Sequence, residues 1–276
     1  MSISQCGLVP NRMFLQSELP GFTIVRRYAS LGSTMDEARN LLQEQPPTES
    51  SWSAIIYADE QTAGRGRQGR SWITSAGALM ATYVFTTEVA VSALAGYSLA
   101  VGVAVSRVLE RYGITNRLKW PNDIVVVESA RTLRKLGGIL VEVHDSARYR
   151  CVLVGLGLNV TAPPEQVRDI AVGMHELQSE EITAAELIEP IGAELLVMHR
   201  AFCSYSGFRG MRKEWTERAC FVPGQSTVQI DIGELHQVKG TFVGVDESGA
   251  LLLAQDGALR TFLSGHITGY ELGAGV

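Results

Sequence analysis

Apolar positions along the first 222 residues recur with either a strand-like or a helix-like period. Strands are predicted at 22–28, 53–58, 79–86, 118–120, 124–127, 138–143 and 151–160. Helices are predicted from Thr34, where a capping-box pattern begins, at 94–112, at 184–202 with a bend at Pro190, and at 208–220. The polar segment 161–181 is expected to be a flexible connection.

The last fifty residues contain only short apolar runs separated by turn residues. Strands are predicted at 228–232, 238–245, 250–254 and 259–263, with turns at 246–249 and 256–257. Pro223 and Gly224 mark a boundary before them. The pattern predicts an α+β protein with a tail over 1–21, a main domain over 22–222 and a small β-barrel over 223–276.

Composition narrows the class of protein. Of the 276 residues, 46% are hydrophobic and 19% are charged, which is the balance of a globular chain and excludes global disorder. The net charge of -5 argues against a dedicated nucleic-acid binder. Only 4 of the 24 cationic residues are lysines, so each lysine is a candidate for a specific role.

The cysteines and the apolar runs indicate a reducing compartment. Cys6, Cys151, Cys203 and Cys220 have neither disulfide-framework nor zinc-site spacing, and no signal peptide is recognised. A cytoplasmic location is therefore expected. The uncharged run 89–106 is predicted to be a buried helix and not a membrane span, because Gly, Ser and Tyr interrupt it.

The strongest local signal is the run GRGRQGRSW at 64–72. It satisfies a dinucleotide-binding pattern, yet SWIT follows it where that motif requires a helix. Glycines allow the backbone to curl around a ligand, and arginines present fixed donors that match phosphate or carboxylate oxygens. Three arginines this close repel one another unless an anion lies between them. The loop is therefore predicted to bind an anion.

Three weaker motifs follow it along the chain. KWPND at 119–123 places a lysine at a strand end beside a turn, although such a turn could be purely structural. KLGGILVE at 135–142 places a lysine before two glycines at the start of an apolar strand. GLGLN at 155–159 has glycines inside a strand, which indicates close approach of the backbone to another group.

Together, in this order, the four motifs resemble those of the biotin–protein ligases, which include the holocarboxylase synthetases. The resemblance runs from about residue 22 to the end of the sequence. It implies a mixed, largely antiparallel sheet like that of class II aminoacyl-tRNA synthetases, with a C-terminal SH3-like barrel. It also implies ATP and biotin as substrates, Mg²⁺ held mainly by phosphates, and transfer of biotin to a lysine of a biotin carboxyl carrier protein domain.

The resemblance assigns a role to individual residues. The expected catalytic residues are Arg65, Arg67, Lys135 and Asp123. The expected contacts to biotin or its adenylate are Ser33, Thr34, Met35, Gln61, Gly64, Arg65, Gly66, Arg67, Trp72, Lys119, Asn122, Lys135, Gly138, Gly155 and Asn159. Arg70 is expected to shape the loop, and no dedicated protein cage for a metal is visible.

Two positions depart from the family pattern. Met35 stands where relatives usually carry Asn, which removes a side-chain contact at that point. The segment 161–181, expected to fold over adenine, contains no aromatic residue apart from His175, so Met174 or His175 would have to pack against the base.

Three competing functions fit the sequence less well. A lipoate ligase or octanoyltransferase would lack GRGRQGR and KWPND, and a homologue that only binds biotin would not need Arg65, Arg67 and Lys135 intact. A biotin-sensing repressor would need an N-terminal DNA-binding module, for which 1–21 is too short. We therefore expect a monofunctional enzyme with no specific DNA partner and no membrane association, and leave a homodimer open.

Overall fold

The computed structural model describes residues 13–15, 19–129, 132–146, 148–178, 180–233 and 237–274. Its core element is an eight-stranded sheet in the order β1-β2-β3-β4-β8-β7-β6-β5. The strands are β1 (Met13–Leu15), β2 (Ile24–Tyr28), β3 (Ser53–Ala58), β4 (Leu79–Thr87), β5 (Arg117–Lys119), β6 (Asp123–Ser129), β7 (Thr132–Ser146) and β8 (Tyr149–Leu158). The predicted mixed, largely antiparallel α+β fold is confirmed, since only β2 and β3 pair in parallel among these strands.

Four α-helices lie in the described residues: α1 (Thr34–Glu44), α2 (Tyr97–Arg111), α3 (Ala184–Ala201) and α4 (Arg212–Arg218). The helix α1 forms the crossover that a parallel β2–β3 pair requires. The segment Val91–Arg111 is long and apolar enough to span a bilayer by composition. Its helix α2 packs against α3 and the sheet, as predicted for a core helix, and Gly102 allows the approach to Leu118.

The C-terminal residues form a second sheet in the order β12-β11-β10-β9-β13. These strands are β9 (Thr227–Asp231), β10 (Gln237–Val245), β11 (Leu251–Gln255), β12 (Ala258–Phe262) and β13 (His266–Glu271). The sheet is compatible with the predicted SH3-like domain. It is open and not a closed barrel, because no described pairing joins its edge strands β12 and β13.

The predicted tail over 1–21 contains the short strand β1, which pairs antiparallel with β2. The rest of that tail, with Cys6, lies largely outside the described residues. The helix predicted from Thr34 does form, but its N-cap is Ser33 and the expected capping box is absent. The Thr34 hydroxyl instead donates to the Gln61 side chain, because this helix start belongs to a pocket.

The predicted bend at Pro190 does not break α3. Proline lacks the N–H that would bond to the carbonyl of Glu186, four residues earlier. That carbonyl accepts a hydrogen bond from the Tyr112 hydroxyl instead, at 3.3 Å. A side chain from the end of α2 thus donates to the carbonyl that proline leaves without an N–H, and the helix continues.

The segment 161–181 is not the flexible connection that its polarity predicts. Its backbone docks on β7, where the Lys135 N–H donates to the Ile170 carbonyl at 2.8 Å and the Val172 N–H donates to the Lys135 carbonyl at 3.0 Å. Met174 is fully buried in the core. The helix predicted at 208–220 is likewise shorter, because Phe208 and Arg209 form a 3-10 turn before α4.

Candidate active site

One pocket gathers the four motifs between the glycine–arginine loop, 64–72, and the glycine-rich strands β7 and β8. Thirteen of the sixteen predicted site residues line it: Ser33, Thr34, Met35, Gln61, Arg65, Gly66, Arg67, Trp72, Asn122, Asp123, Lys135, Gly138 and Gly155. Strand order explains the gathering, because β8, β7 and β6 are neighbours in the sheet and carry three of the motifs, while the glycine–arginine loop leads into their neighbour β4.

The start of α1 forms a polar corner of the pocket. Gln61 Oε1 accepts from the Thr34 N–H at 2.7 Å and from the Thr34 hydroxyl at 3.1 Å. The buried Thr82 hydroxyl donates to Thr34 Oγ1 at 2.9 Å, so the corner is held from the sheet side as well. Because both bonds from Thr34 end on the Gln61 carbonyl oxygen, the Gln61 amide Nε2 remains as a donor for a ligand. The Ser33 hydroxyl makes no capping bond, and Ser33 lies in the same corner of the pocket.

The glycine–arginine loop has a defined shape. The Gly66 N–H donates to the Arg70 carbonyl at 2.7 Å, and the Trp72 N–H donates to the Gly64 carbonyl at 2.9 Å. Residues 67–69 form a short 3-10 turn, with Gln68 at φ 57°. No α-helix opens after the glycines, which confirms that this loop is not a dinucleotide-binding fingerprint.

Each of the three arginines in this loop contacts a different element of the fold. Arg65 pairs with Asp36 on α1, Arg67 Nη1 donates to Asn122 Oδ1 at 3.3 Å, and Arg70 Nη1 lies 3.3 Å from the His266 ring nitrogens. The loop is thus tied to α1, to the turn before β6 and to the C-terminal sheet. These contacts also hold three like charges together across one pocket mouth.

Lys135 and Asp123 form the central ion pair of the pocket. Lys135 Nζ lies 2.6 Å from Asp123 Oδ1, and the ammonium also lies over the Trp72 ring, 5.2 Å from its centroid. Burial lowers the pKa of the Arg67 guanidinium, Arg70 adds to that effect and Asp123 opposes it. The described lining has four cations, Arg65, Arg67, Arg70 and Lys135, and one carboxylate, so the pocket favours an anion.

Trp72 lies flat against the backbone of β7 and β8. A Cβ added to Gly157 would lie 2.6 Å from Trp72 Cε2, and one added to Gly138 would lie 3.1 Å from the same ring. A side chain at Gly157 would overlap the indole and one at Gly138 would crowd it, so glycine at both places favours the close approach of the ring to the strands. Within the described chain the Trp72 Nε1–H has no hydrogen-bond partner, so the ring carries an unused donor beside the pocket.

Three predicted site residues lie outside the lining. Gly64 supports the loop where its carbonyl meets Trp72. Lys119 points towards the C-terminal sheet, with Nζ 5.6 Å from the Tyr270 ring centroid. Asn159 is buried, and its Nδ2 donates to the Lys135 carbonyl at 3.1 Å, so it holds the strand that carries the lysine.

The prediction missed several lining residues. Gln68, Ser71, Ile139, Leu140, Leu156 and Gly157 lie inside the recognised motifs, and Arg70 was assigned only to the shape of the loop. Ala81, Gly265 and His266 lie outside every motif. No signal in the sequence marks His266, because it enters from the C-terminal sheet. Met35 packs its sulfur towards Gly155, where an added Cβ would lie 3.0 Å away.

Of the two predicted adenine contacts in 161–181, Met174 is not free for a base. Met174 has 0% exposure. His175 Nε2 lies 2.8 Å from the Ile182 carbonyl, within hydrogen-bond distance. A purine bound beside this segment would therefore need a packing partner other than Met174.

Comparisons with known proteins agree with this arrangement. Residues 30–159 match a family model described as "Biotin/lipoate A/B protein ligase family", and residues 230–268 match "Biotin protein ligase C terminal domain". The chain is 32% identical over 211 residues to the biotin--[acetyl-CoA-carboxylase] ligase of Paracoccus denitrificans, covering 74% of this chain and 85% of that protein.

A second relative is longer than this chain. The bifunctional ligase/repressor BirA of Salmonella typhimurium is 32% identical over 223 residues, which cover 76% of this chain and 65% of that protein. Among solved structures, the biotin protein ligase from Aquifex aeolicus in complex with biotin and ATP superposes with a TM-score of 0.72. It is 24% identical and covers 91% of this chain and 100% of that chain, a likeness that supports the fold.

Proposed function

The chain belongs to the biotin/lipoate A/B protein ligase family, and on that premise we propose that it is a biotin–protein ligase. In the first step a biotin carboxylate oxygen attacks the α-phosphorus of ATP, and pyrophosphate leaves. In the second step a lysine amine of a carrier domain attacks the carbonyl carbon of biotinyl-5′-adenylate. The amide bond forms, the amine loses its proton and AMP leaves.

The observation that carries this proposal is the joining of a cationic mouth to a polar corner in one pocket. Bringing a carboxylate to a triphosphate requires several negative charges to be neutralised, and the four lining cations supply that field. The Gln61 amide and the Thr34 and Ser33 hydroxyls provide the donors and acceptors that a cyclic urea needs.

Within this mechanism each charged residue has a separate task. Arg65 and Arg67 close over the carboxylate and the phosphates, and Lys135 contacts oxygens of the carboxylate and the α-phosphate. Asp123 orients Lys135 through their 2.6 Å ion pair. Asn122 fixes Arg67, while Trp72, Gly138 and Gly155 shape the space for the bicyclic ring.

We propose Mg²⁺ as the ion that accompanies ATP. Asp123 is the only carboxylate among the described lining residues, and the described chain contains no cluster of three metal-ligating side chains. This donor set fits an ion held mainly by phosphate oxygens, as Mg²⁺ often is. The ion would neutralise charge on the leaving pyrophosphate, and Asp123 is the side chain placed to approach it.

The acceptor is proposed to be a lysine of a biotin carboxyl carrier protein domain, since relatives are named for modifying acetyl-CoA carboxylase. The absence of a specific DNA partner and the cytoplasmic location stay predictions, and the homodimer stays an open alternative.

Biotin-dependent exchange of labelled pyrophosphate into ATP tests the proposal. We expect exchange with biotin, none without it and far less with lipoate. Lys135→Ala should abolish most of it, whereas the matched control Lys239→Ala should not, because Lys239 lies on β10 and pairs with Glu271 away from the pocket. Equal exchange with lipoate would indicate the lipoate branch of the family instead.

A further inference from the structure

The C-terminal sheet contributes residues directly to the pocket. Gly265 and His266, at the start of β13, line it together with residues of the glycine–arginine loop. His266 is separated from Arg70 by 196 positions in sequence, yet Arg70 Nη1 lies 3.3 Å from both its ring nitrogens. None of the four motifs accounts for this residue.

The geometry of this contact defines its type. The Cε1 atom stands between Nδ1 and Nε2, so an atom in the ring plane at 3.3 Å from both nitrogens would collide with it. The guanidinium nitrogen must therefore lie over the face of the ring. A neutral imidazole face attracts a cation, whereas an imidazolium repels it.

Several contacts fix β13 relative to the pocket. The Leu133 N–H donates to the Tyr270 hydroxyl oxygen at 3.1 Å, and Lys119 lies over the Tyr270 ring. The Trp120 Nε1–H donates to the Gly249 carbonyl at 3.0 Å, which joins the two sheets a second time. The position of His266 is thus set by the docking of the C-terminal sheet, and Arg70 adjusts to it.

The charges facing His266 favour its neutral form. Partial burial lowers the pKa of the His266 ring, and the cations Arg70, Lys119 and Lys135 lower it further, while Asp123 alone opposes them from the pocket. Its partner across the strands is Asp231 of β9. The ring is therefore uncharged near neutral pH and gains a proton only in acid.

We propose that His266 is a positioning residue whose neutral ring holds Arg70 and keeps the glycine–arginine loop closed over the bound adenylate. This inference rests on the proposed function, because it names the residue that retains the intermediate of that reaction. Retention matters since the mixed anhydride hydrolyses in water, and a closed loop excludes water until the acceptor lysine arrives. The C-terminal sheet therefore acts on the reaction through the contact between His266 and Arg70.

Three variants distinguish the effect of the His266 ring face from the effect of its charge. His266→Ala removes the face, His266→Phe keeps a ring that is neutral at every pH, and His266→Arg places a permanent cation beside Arg70. The control is His144→Ala, because His144 lies near the far end of β7 and outside the pocket lining. Each protein is loaded with labelled biotinyl-adenylate, and its release is followed during a chase at pH 5.5 to 8.

We expect release about 3- to 30-fold faster in His266→Ala, the range that such a cation–ring contact supports. His266→Arg should release fast at every pH, and His266→Phe slowly at every pH. The wild type and His144→Ala should release slowly at neutral pH and faster in acid, below the ordinary histidine pKa of 6.5. Equal thermal unfolding midpoints would show that the C-terminal sheet still folds.

A second readout does not depend on the reaction. Hydrogen exchange at the Gly66 amide, which bonds to the Arg70 carbonyl, should be faster in ligand-free His266→Ala than in wild type. Release within two-fold of wild type in His266→Ala, an acid acceleration that persists in His266→Phe, or unchanged Gly66 exchange would each overturn the inference. If the wild type forms no adenylate from biotin and ATP, the proposed function is overturned instead. Hydrogen exchange at the Gly66 amide would still test whether His266 holds the loop.

Discussion

Lys135→Ala removes the only lysine in the described pocket lining, and its effect can be worked out from the ion pair. Lys135 Nζ lies 2.6 Å from Asp123 Oδ1, so the variant loses a cation and also leaves a carboxylate without its partner. The described lining changes from four cations against one carboxylate to three against one. Both changes oppose a transition state in which two anionic groups approach each other.

The expected loss of adenylate formation is about 10²- to 10³-fold, or about 2.7–4 kcal/mol, which is typical when one preorganised donor is removed. A unit charge about 4 Å from another contributes about 4 kcal/mol at the effective dielectric near a protein surface, which is the same size. Stability should change by less than about 1 kcal/mol, because the Lys135 side chain is 34% exposed.

The assay is biotin-dependent pyrophosphate exchange, with Lys239→Ala as the control for loss of a lysine. The double variant Asp123→Asn/Lys135→Ala tests the reasoning further. The double variant also removes the negative charge that Lys135→Ala leaves without a partner. Its loss of exchange activity should therefore be at least tenfold smaller than the product of the two single losses. Exchange near the wild-type rate in Lys135→Ala would refute the assignment, and strictly multiplicative losses would refute the role given to the ion pair.

Three further predictions concern the pocket and the core. Gly157→Ala places a Cβ 2.6 Å from Trp72 Cε2, so we expect at least about tenfold slower adenylate formation and altered tryptophan fluorescence. The control Gly269→Ala should show neither change, because the atom nearest to its added Cβ lies 3.5 Å away. Amide exchange in the glycine–arginine loop should slow when biotinyl-adenylate saturates the protein, since an anion bridges the arginines more strongly than Asp36 and Asn122 do; unchanged exchange would contradict this. Burial lowers the pKa of His199, whose unfolded form takes up protons first as pH falls below 6.5, so stability should decrease towards pH 5; in urea titrations His199→Gln should show a smaller slope with pH.

The sequence predicted the site better than it predicted the segments around it. Motifs of five to nine residues located nine of the thirteen lining positions, because each motif sits on the loop or on a strand adjacent in the sheet, and the family resemblance added Ser33, Thr34, Met35 and Gln61. Local pattern could not locate His266, since its place depends on how a second sheet docks through Trp120 and Gly249. Local pattern also gave the wrong expectation for the segment 161–181, because polar composition does not indicate that its backbone pairs with β7.

Local rules also failed where a distant residue supplied the missing partner. Pro190 should interrupt α3 by its own chemistry, and the Tyr112 hydroxyl, 74 positions away from Glu186, supplies the donor that proline lacks. Thr34 should cap α1, but Gln61 competes for its hydroxyl and makes it part of the pocket. In both places the sequence pattern was correct about the local tendency, and tertiary contacts decided the outcome.

The separation of 196 positions between Arg70 and His266 has a consequence for the protein during its synthesis. A nascent chain that has emerged as far as Leu158 already contains the loop, both lysine motifs and the glycine-rich strand β8. It still lacks the ring that lies over Arg70, because β13 reaches its place only after β9 is available to pair with it. The reactive groups are therefore synthesised first, and His266, which restrains the loop, follows about a hundred residues later. Full retention of a reactive intermediate begins only once the C-terminal sheet has folded.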